Sequence, residues 1–251
     1  MSANRAENKC KLARHAQIAF GGRILLHLRG TVPFFTTKGF MKNPIAFGQD
    51  LGLSRPHTAL LARLKTPEAV QDYITQLEIN FEPEGDTCLS VAEVLKQKRA
   101  HCIEGAFVAA CALWMQGRQP LLMDMQADGD DDHVIAPFVH NGFWGAISKS
   151  NHVWLRWRDP VYRSLRELAM SYFHEYTSGA RKTLRSYSAP FNLRRHDPAL
   201  WVSNKEPCWD IAAALDASRH YPLVTPAQAK QLKRRDETEL RADKVLEYAR
   251  P

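Results

Sequence analysis

The chain has 251 residues, and its 45% share of hydrophobic residues is enough to bury a full core, which excludes a disordered protein. Lys and Arg number 34 against 27 Asp and Glu, and the net charge of +7 predicts binding to acidic partners only where the basic residues cluster. Five cysteines without a CxxC pair argue against a disulfide framework and a structural zinc site, so we expect a reducing compartment and a cytoplasmic protein. The five are Cys10, Cys88, Cys102, Cys111 and Cys208.

Residues 1–57 have weak hydrophobic periodicity, and we predict a poorly defined N-terminal extension there. Within it, residues 17–35 are fairly apolar, but Arg23, His27 and Arg29 interrupt them, and no small-residue cleavage pattern follows. We therefore expect neither a secretory signal nor a membrane span. The first thirty residues carry six basic side chains and one acidic one. This composition is compatible with two interpretations, an organelle-targeting tail and a disordered start.

Three helices are predicted between residues 66 and 117. The first, in KTPEAVQDYITQL, has Thr66 as its N-cap and a proline at the first helical position. The second, SVAEVLKQK, opens with Ser90 and Glu93 at the spacing of a capping box. The third begins at Cys102, repeats apolar residues every three or four positions and ends at Gly117, so we expect it to be largely buried.

Three strands follow this buried helix. QPLLMDMQA is a hydrophobic strand, DGDDD is a polar loop, and HVIAPFV and FWGAIS flank an Asn-Gly pair that favours a tight hairpin turn. We therefore predict an α+β fold in which residues 58–180 form a core of helices packed on a small antiparallel sheet. Residues 181–251 are predicted to be a C-terminal extension that ends in a helix and packs on the core as one domain.

Two further helices are predicted downstream. Asp159 and Pro160 open an amphipathic helix that ends near Gly179. Thr225 opens the last helix, PAQAKQLKRRDETELRADKVLEYA. Acidic residues dilute the basic ones on its charged face, which predicts solvated surface rather than a nucleic-acid helix.

Cys102 stands at the start of a helix, where a cysteine is either a packed core residue or a nucleophile. A thiol attacks a carbonyl only as the thiolate, and the partial positive charge at a helix N-terminus lowers its pKa. Lys98, Arg99 and His101 add positive potential just upstream. Cys111 lies mid-helix among alanines and is predicted to be a packing residue.

A nucleophilic thiol also needs a base within hydrogen-bond reach. His133 opens the strand after the acidic loop, and a helix packed across a short antiparallel sheet can bring its N-terminus beside such a strand end. His140 lies in the hairpin turn and His152 lies beyond the second strand, so His133 is the best candidate among the ten histidines. A structural or solvent-facing role for His133 stays the alternative.

The order of these elements resembles the transglutaminase-like superfamily, relatives of the papain-type cysteine proteases. The resemblance is carried by CIEGAFVAACALWMQGRQPLLMDM and DDHVIAPFVHNGFWGAIS, within residues 66–155, and a similarity to a bacterial branch extends into RDPVYRSLRELAMSYFHEY. In that superfamily a cysteine begins the central helix, a histidine lies on a following strand, and an acidic or amide residue follows a tryptophan-bearing strand. The resemblance assigns the first two roles to Cys102 and His133, and the strand tryptophan to Trp144.

The third member departs from the pattern of the superfamily. Four residues after the tryptophan, where Asp is common, the chain has Ser148, followed by Ser150 and Asn151. An amide oxygen can accept the imidazole N–H, so Asn151 is the first choice. A two-residue turn, however, pairs position 133 with position 150, which puts Ser148 and Ser150 on the face of His133 and Asn151 on the other face. The predicted catalytic residues are therefore Cys102, His133 and Asn151, with both serines left open as alternatives to Asn151.

These residues predict a cysteine-dependent acyl-transfer enzyme. We expect Cys102 to attack an amide or related acyl carbon, and His133 to take the thiol proton and protonate the leaving amine. The backbone N–H of Cys102 is the expected oxyanion donor, and the side chain of Gln97 is a less favoured second donor. The expected substrate is a protein, a peptide or a small amide, without a cofactor. The loop ADGDDDH lacks the spacing of an EF-hand, so no metal is expected.

A competing hypothesis is a non-catalytic binding protein with the same fold. Its basic surface would engage an acidic protein or a nucleic acid, and WLRWR would supply an aromatic and basic contact strip. The simpler interpretation of WLRWR is a strand with one buried and one exposed face. Activity that is lost on Cys102→Ala favours the enzyme, and salt-sensitive association indifferent to that change favours the binding protein.

Overall fold

The computed structural model describes residues 43–243 and 245–249. The predictions that fall on residues 1–42, including the targeting tail, the apolar stretch 17–35 and Cys10, lie outside the described residues. The described part combines helices with an antiparallel sheet, which confirms the predicted α+β class. No helix in this part is long and apolar enough to cross a membrane.

The helices and strands of the described residues are as follows. The helices are α1 (Pro44–Asp50), α2 (Arg55–Arg63), α3 (Pro67–Gln76), α4 (Val91–Gln97), α5 (Cys102–Met115), α6 (Leu165–Met170), α7 (Trp209–Asp216), α8 (Pro226–Lys230) and α9 (Glu237–Ala242). The strands are β1 (Glu78–Ile79), β2 (Arg99–Ala100), β3 (Leu121–Ala127), β4 (His133–His140), β5 (Phe143–Ile147), β6 (Arg158–Tyr162), β7 (Thr177–Ser178), β8 (Arg181–Lys182), β9 (Leu184–Ser188), β10 (Phe191–Asn192) and β11 (His220–Pro222).

The main sheet has the strand order β11-β9-β3-β4-β5-β6, with every neighbouring pair antiparallel, and β10 also pairs with β3. Strand β9 lies beside β3, so the chain after residue 181 supplies a central part of the sheet. The short strands β1 and β2 pair in parallel. Because β2 ends one residue before the N-cap of α5, this pair anchors the start of that helix.

Helix α5 packs on one face of the sheet. Val134, Ala136 and Phe138 of β4 belong to the same core cluster as α5, whereas Ile135 belongs to the cluster on the other face, as the two-residue period of a strand requires. The helix is buried from residue 103 to residue 113, as its apolar sequence predicts. Burial of one Leu or Phe side chain contributes about 1.5–3 kcal/mol, so packing rather than helix propensity holds α5 in place.

The hairpin between β4 and β5 has the predicted register. Residue 136 pairs with 147 and residue 140 with 143, so the same register continued backwards puts 133 opposite 150. The two turn residues, Asn141 and Gly142, have φ values of 51° and 82°, the left-handed conformation that a tight hairpin turn requires. The predicted Asn-Gly turn is confirmed.

The predicted helix starts at residues 66, 90 and 102 are confirmed as well. The Thr66 hydroxyl accepts the N–H of Ala69 at 3.2 Å, and the Ser90 hydroxyl accepts the N–H of Glu93 at 3.4 Å. Helix α5 stops before Gly117, whose φ of 83° ends the helical path. Local capping chemistry therefore sets these boundaries.

The helix predicted from Asp159 is wrong. Residues 158–162 form β6, an edge strand whose register on β5 shifts between its two ends, and prolines within sheets are found at such edges and irregularities. Gly145 permits the close approach, since a Cβ there would lie 2.8 Å from the Arg158 carbonyl oxygen. The helix begins only at α6, where the Ser164 hydroxyl accepts the N–H of Glu167.

Both ends of the described chain also differ from the prediction. Residues 43–57 are largely helical rather than irregular, because Asn43 and Ser54 each cap a helix with a proline in its first turn. The last predicted helix is two short helices, α8 and α9. Asp236 caps the second with a capping box to Glu239, and this new start interrupts the helical path from residue 226.

Candidate active site

Cys102 is the first residue of α5, as predicted, and its thiol opens into a cleft of about 180 Å³. The side chain is partly exposed, whereas Cys88, Cys111 and Cys208 are buried. Its Sγ atom lies 4.0 Å from Nδ1 of His101 and 4.0 Å from the backbone oxygen of Asp132. Among the four cysteines that the structure describes, Cys102 is therefore the one whose thiol faces a cleft and two polar neighbours.

His133 is the first residue of β4 and is only 5% exposed, yet it lines the same cleft. Its Nε2 lies 2.7 Å from Oγ of Ser148 and 3.2 Å from the carbonyl oxygen of Leu155. A carbonyl oxygen only accepts hydrogen bonds, so Nε2 carries the proton and donates it. This tautomer leaves Nδ1 as the basic nitrogen, and the ring interacts with the thiol of Cys102.

The residue that orients His133 is Ser148, one of the two serines that strand parity favours. The structure does not bring Asn151 to the ring, because its side chain is engaged by the backbone of Tyr248, with hydrogen bonds of 2.9 and 3.0 Å. The hydroxyl of Ser150 accepts the N–H of His152 instead. The assignment of Asn151 thus fails on geometry, since β5 ends at Ile147 and the Asn151 amide is held by the Tyr248 backbone rather than turned toward His133.

A second imidazole at the thiol is that of His101, which the sequence pattern indicated only as one of three positive groups upstream of Cys102. Its Nε2 lies 3.0 Å from the carbonyl oxygen of Thr87, 3.2 Å from Oε1 of Glu104 and 3.5 Å from Oε1 of Glu82. All three neighbours accept hydrogen bonds, so Nε2 carries the proton and Nδ1 faces Cys102. Nδ1 of His101 therefore faces the sulfur atom with which the ring of His133 also interacts.

Glu104 is a fully buried carboxylate in the first turn of α5. It accepts hydrogen bonds from the Thr87 hydroxyl at 2.7 Å and from the backbone N–H groups of Leu89 and His101 at 2.9 Å each, and the amide of Asn80 donates as well. Burial alone would raise the pKa of Glu104, but these hydrogen bonds and the His101 ring lower it to about 2. The sequence signal was a glutamate three residues after the N-cap, the second half of a capping box.

The thiol of Cys102 is acidic in this setting. Burial raises its pKa, but hydrogen bonds to His101 and His133 and the charges of both rings outweigh burial, so the pKa lies well below its ordinary value of 9.0. For His101, burial lowers the pKa, because it disfavours the charged ring. The contacts of the ring with Cys102 and Glu104 outweigh burial, so the pKa of His101 lies well above 6.5. The buried Cys111 shows the opposite behaviour, since burial raises its thiol pKa to about 12.

Tyr176 forms part of the wall of the cleft beside His133, and no motif in the sequence indicates this residue. The two rings meet edge to face with 6.4 Å between their centres, and the tyrosine hydroxyl donates to the backbone oxygen of Asp131. Burial and the nearby negative charge of Cys102 raise the pKa of Tyr176 well above its ordinary value. The hydroxyl thus keeps its proton and holds the acidic loop against the site.

The two predicted oxyanion donors differ in position. The N–H of Cys102 lies at the start of α5, before the hydrogen-bond ladder of the helix begins. Gln97 is exposed at the end of α4, where its amide donates to Glu93 at 3.1 Å and accepts from Arg99 at 3.1 Å. The structure brings the first donor to the cleft and leaves the second outside it.

The acidic loop and WLRWR serve structural contacts. Asp130 accepts the Thr183 hydroxyl at 2.7 Å, and within residues 43–243 and 245–249 no cluster of His, Cys, Asp or Glu side chains is arranged to hold a metal ion. WLRWR is a short 3-10 helix followed by the start of β6, so the predicted strand is wrong. Arg156 pairs with Glu247, and Arg158 pairs with a second glutamate, so neither guanidinium is presented as part of a basic strip.

Comparison with known proteins adds no assignment. The chain matches no protein-family model and no curated protein sequence. The chemistry of the cleft therefore has to be inferred from its own geometry.

Proposed function

We propose that the protein is a cysteine-dependent acyl-transfer enzyme with a transglutaminase-like core. One observation carries the proposal: the thiol of Cys102 faces a cleft, interacts with two imidazole rings and has a pKa well below its ordinary value. The pKa of a packed structural cysteine shifts upward instead, as that of Cys111 does. A stabilised thiolate that substrate can reach is what nucleophilic attack on an acyl carbon requires.

The order of the parts supports a transglutaminase-like core. A buried helix begins with the cysteine, the first strand of the hairpin that follows begins with His133, and the second strand leads to Ser148 beside that ring. The carbonyl of Leu155 fixes the tautomer of His133 and the Ser148 hydroxyl orients its ring, and neither group adds a negative charge. This is the departure from the acid-bearing pattern of the superfamily.

The proposed reaction has two steps. The Cys102 thiolate attacks the carbonyl carbon of an amide or related acyl group, and the electron pair moves onto the oxygen, to which the Cys102 N–H donates. The C–N bond then breaks as His133 delivers the former thiol proton to the leaving amine, which yields an acyl thioester. Water or an amine attacks the thioester, gives a proton to His133 and releases the thiolate. Water as the acceptor makes the protein a peptidase or amidase, and an amine makes it a transferase.

Acetylation by p-nitrophenyl acetate tests the nucleophile without knowledge of the natural substrate. We expect one acetyl group per chain, bound to Cys102 and released slowly, together with a burst of one equivalent of p-nitrophenolate. Mass spectrometry of peptides locates the acetyl group, and absorbance follows the phenolate. His133→Ala is expected to slow the acetylation by about 10²–10⁴-fold, the usual contribution of a general acid–base group.

Two cysteine variants separate nucleophilic chemistry from background reaction. Cys102→Ala is expected to abolish the burst, and Cys111→Ala, which removes a buried thiol from the same helix, is expected to preserve it. Acetylation that persists in Cys102→Ala, or that appears only on lysines, would overturn the proposed function.

A further inference from the structure

The two imidazoles at the thiol are held by different kinds of partner. Nε2 of His133 donates to a serine hydroxyl and a backbone carbonyl, which are neutral acceptors. Nε2 of His101 faces the carboxylates of Glu104 and Glu82 at 3.2 and 3.5 Å, in addition to the carbonyl of Thr87. An imidazolium is stabilised far more by a carboxylate than by a neutral acceptor, because the interaction is charge-assisted.

The Glu104 carboxylate is fixed before any substrate arrives. Two backbone N–H groups, the Thr87 hydroxyl and the Asn80 amide donate to it, and it is fully buried at the first turn of α5. A buried carboxylate with this many donors keeps its charge and its position. The ring of His101 is thus clamped between a fixed negative charge on one side and the sulfur of Cys102 on the other.

We propose that His101, held by Glu104, takes the proton of the Cys102 thiol in the resting enzyme, so that the nucleophile is a thiolate before substrate binds. The S–H bond breaks, the proton moves to Nδ1 of His101, and the electron pair stays on sulfur. His101 then gives this proton to the leaving amine, a step that the two-step scheme above assigned to His133. Nδ1 of His133 takes the proton of the attacking water or amine and returns it to His101 through the sulfur, which restores the resting state. This inference rests on the proposed function, and in it Glu104 is a positioning residue that acts through His101.

Other titratable groups lie around the thiol. Besides those described next, the same cleft is lined by Asp130, Asp131, Lys149, His152 and Glu175. His133 begins β4, Tyr176 precedes β7, and Glu82 lies in the turn after β1. Asp132 precedes β4 and contributes its backbone oxygen at 4.0 Å from Sγ. Besides His101, His133 is the group whose contact lowers the pKa of the thiol, so the test compares the two histidines directly.

The test measures the rate at which iodoacetamide alkylates Cys102 between pH 5 and pH 9, with peptide mass spectrometry to separate it from the other four cysteines. The variants are His101→Asn, Glu104→Gln and His133→Asn in the full chain. Asparagine is itself a favourable N-cap residue, so His101→Asn removes the imidazole while keeping the helix start. His140→Asn, on an exposed histidine of the hairpin, is the matched control.

We expect alkylation in the unaltered protein to rise with pH well before the range of about 8.5–9 in which an ordinary cysteine loses its proton. His101→Asn is expected to lower the rate at pH 6 by about tenfold or more, since each pKa unit changes the thiolate fraction tenfold, and Glu104→Gln is expected to act in the same direction. A merely structural role for Glu104 would leave the pH profile unmoved.

The possible results separate the two proposals. A profile that moves to higher pH at least as far in His101→Asn as in His133→Asn supports the inference. A depressed profile that depends on His133 alone overturns the inference and leaves the proposed function standing. An ordinary cysteine profile in the unaltered protein overturns the proposed function, and the inference with it.

A measurement on the unaltered chain covers the case in which a variant fails to fold. Nuclear magnetic resonance of ¹⁵N-labelled histidine reports the charge of each ring. We expect His101 to be an imidazolium at pH 7.5 and to lose its proton at lower pH in Cys102→Ala than in the unaltered protein, because the thiolate no longer stabilises the cation. A neutral His101 ring at pH 7.5 would overturn the assignment.

Discussion

Glu104→Gln tests how much the buried carboxylate contributes to the stability of the fold. Glutamine has the same size and models the neutral acid, so the substitution removes the charge and turns one acceptor oxygen into a donor that faces other donors. The pKa of Glu104 falls from 4.5 to about 2 on folding. At 1.36 kcal/mol per pKa unit this difference corresponds to about 3 kcal/mol, which we expect the variant to lose at pH 7.

The pH dependence of this loss has a definite sign. The folded protein has the lower carboxylate pKa, so the charge stabilises the fold fully above the unfolded value of 4.5. The contribution then disappears as the pH falls through the folded value of about 2. The difference in unfolding free energy between the two proteins is therefore expected to be constant from pH 7 to about pH 5 and to shrink below pH 4.5.

Urea denaturation at several pH values between 7 and 3, followed by circular dichroism, measures this difference. Glu93→Gln is the matched control, because Glu93 occupies the same position in the first turn of α4 but forms a solvent-exposed ion pair with Lys96. Such surface pairs contribute at most about 1 kcal/mol. A loss below about 1 kcal/mol for Glu104→Gln, or a loss that grows on acidification, would refute this account of the buried carboxylate.

Two further substitutions test the surroundings of the site. Ser148→Ala leaves the Leu155 carbonyl as acceptor for His133, so the rate of acetylation by p-nitrophenyl acetate is expected to fall only about fivefold, the equivalent of one hydrogen bond of about 1 kcal/mol. A fall above about a hundredfold would show that the hydroxyl does more than hold the ring. Gly105→Ala puts a Cβ atom 2.6 Å from Cβ of Lys149, and overpacking is expected to cost about 1–3 kcal/mol in urea denaturation. An unchanged urea midpoint would mean that the chain around Lys149 shifts and accommodates the added methyl group.

The sequence predicted the parts of the fold that depend on local chemistry. Thr66 and Ser90 bond to backbone groups three residues away, and Asn141 and Gly142 adopt the left-handed conformation whatever their surroundings. Local sequence signals also predicted that Cys102 begins a helix and that His133 begins a strand, as the structure shows. These features need no knowledge of distant neighbours.

The predictions that failed depend on a partner elsewhere in the chain. Asp159 and Pro160 have the local pattern of a helix start, but the free edge of β5 recruits them into a strand. Asn151 has the right functional group to orient an imidazole, but the backbone of Tyr248, 97 residues later, takes both ends of its amide. Tertiary pairing outweighs local preference in both cases.

The missing acid on the strand after Trp144 is the main chemical objection to catalysis, and the helix offers an answer to it. A carboxylate behind an imidazole does two things: it fixes the tautomer and it stabilises the positive charge that forms beside the thiolate. Here the two tasks are divided. The Leu155 carbonyl and the Ser148 hydroxyl hold the tautomer and the orientation of one ring, and Glu104 supplies the negative charge behind the other. On the proposed assignment, Glu104 stabilises the positive charge of His101, and His101 stabilises the thiolate of Cys102. All three residues belong to the start of one helix, so the absence of an acid from the strand does not by itself disable the thiol.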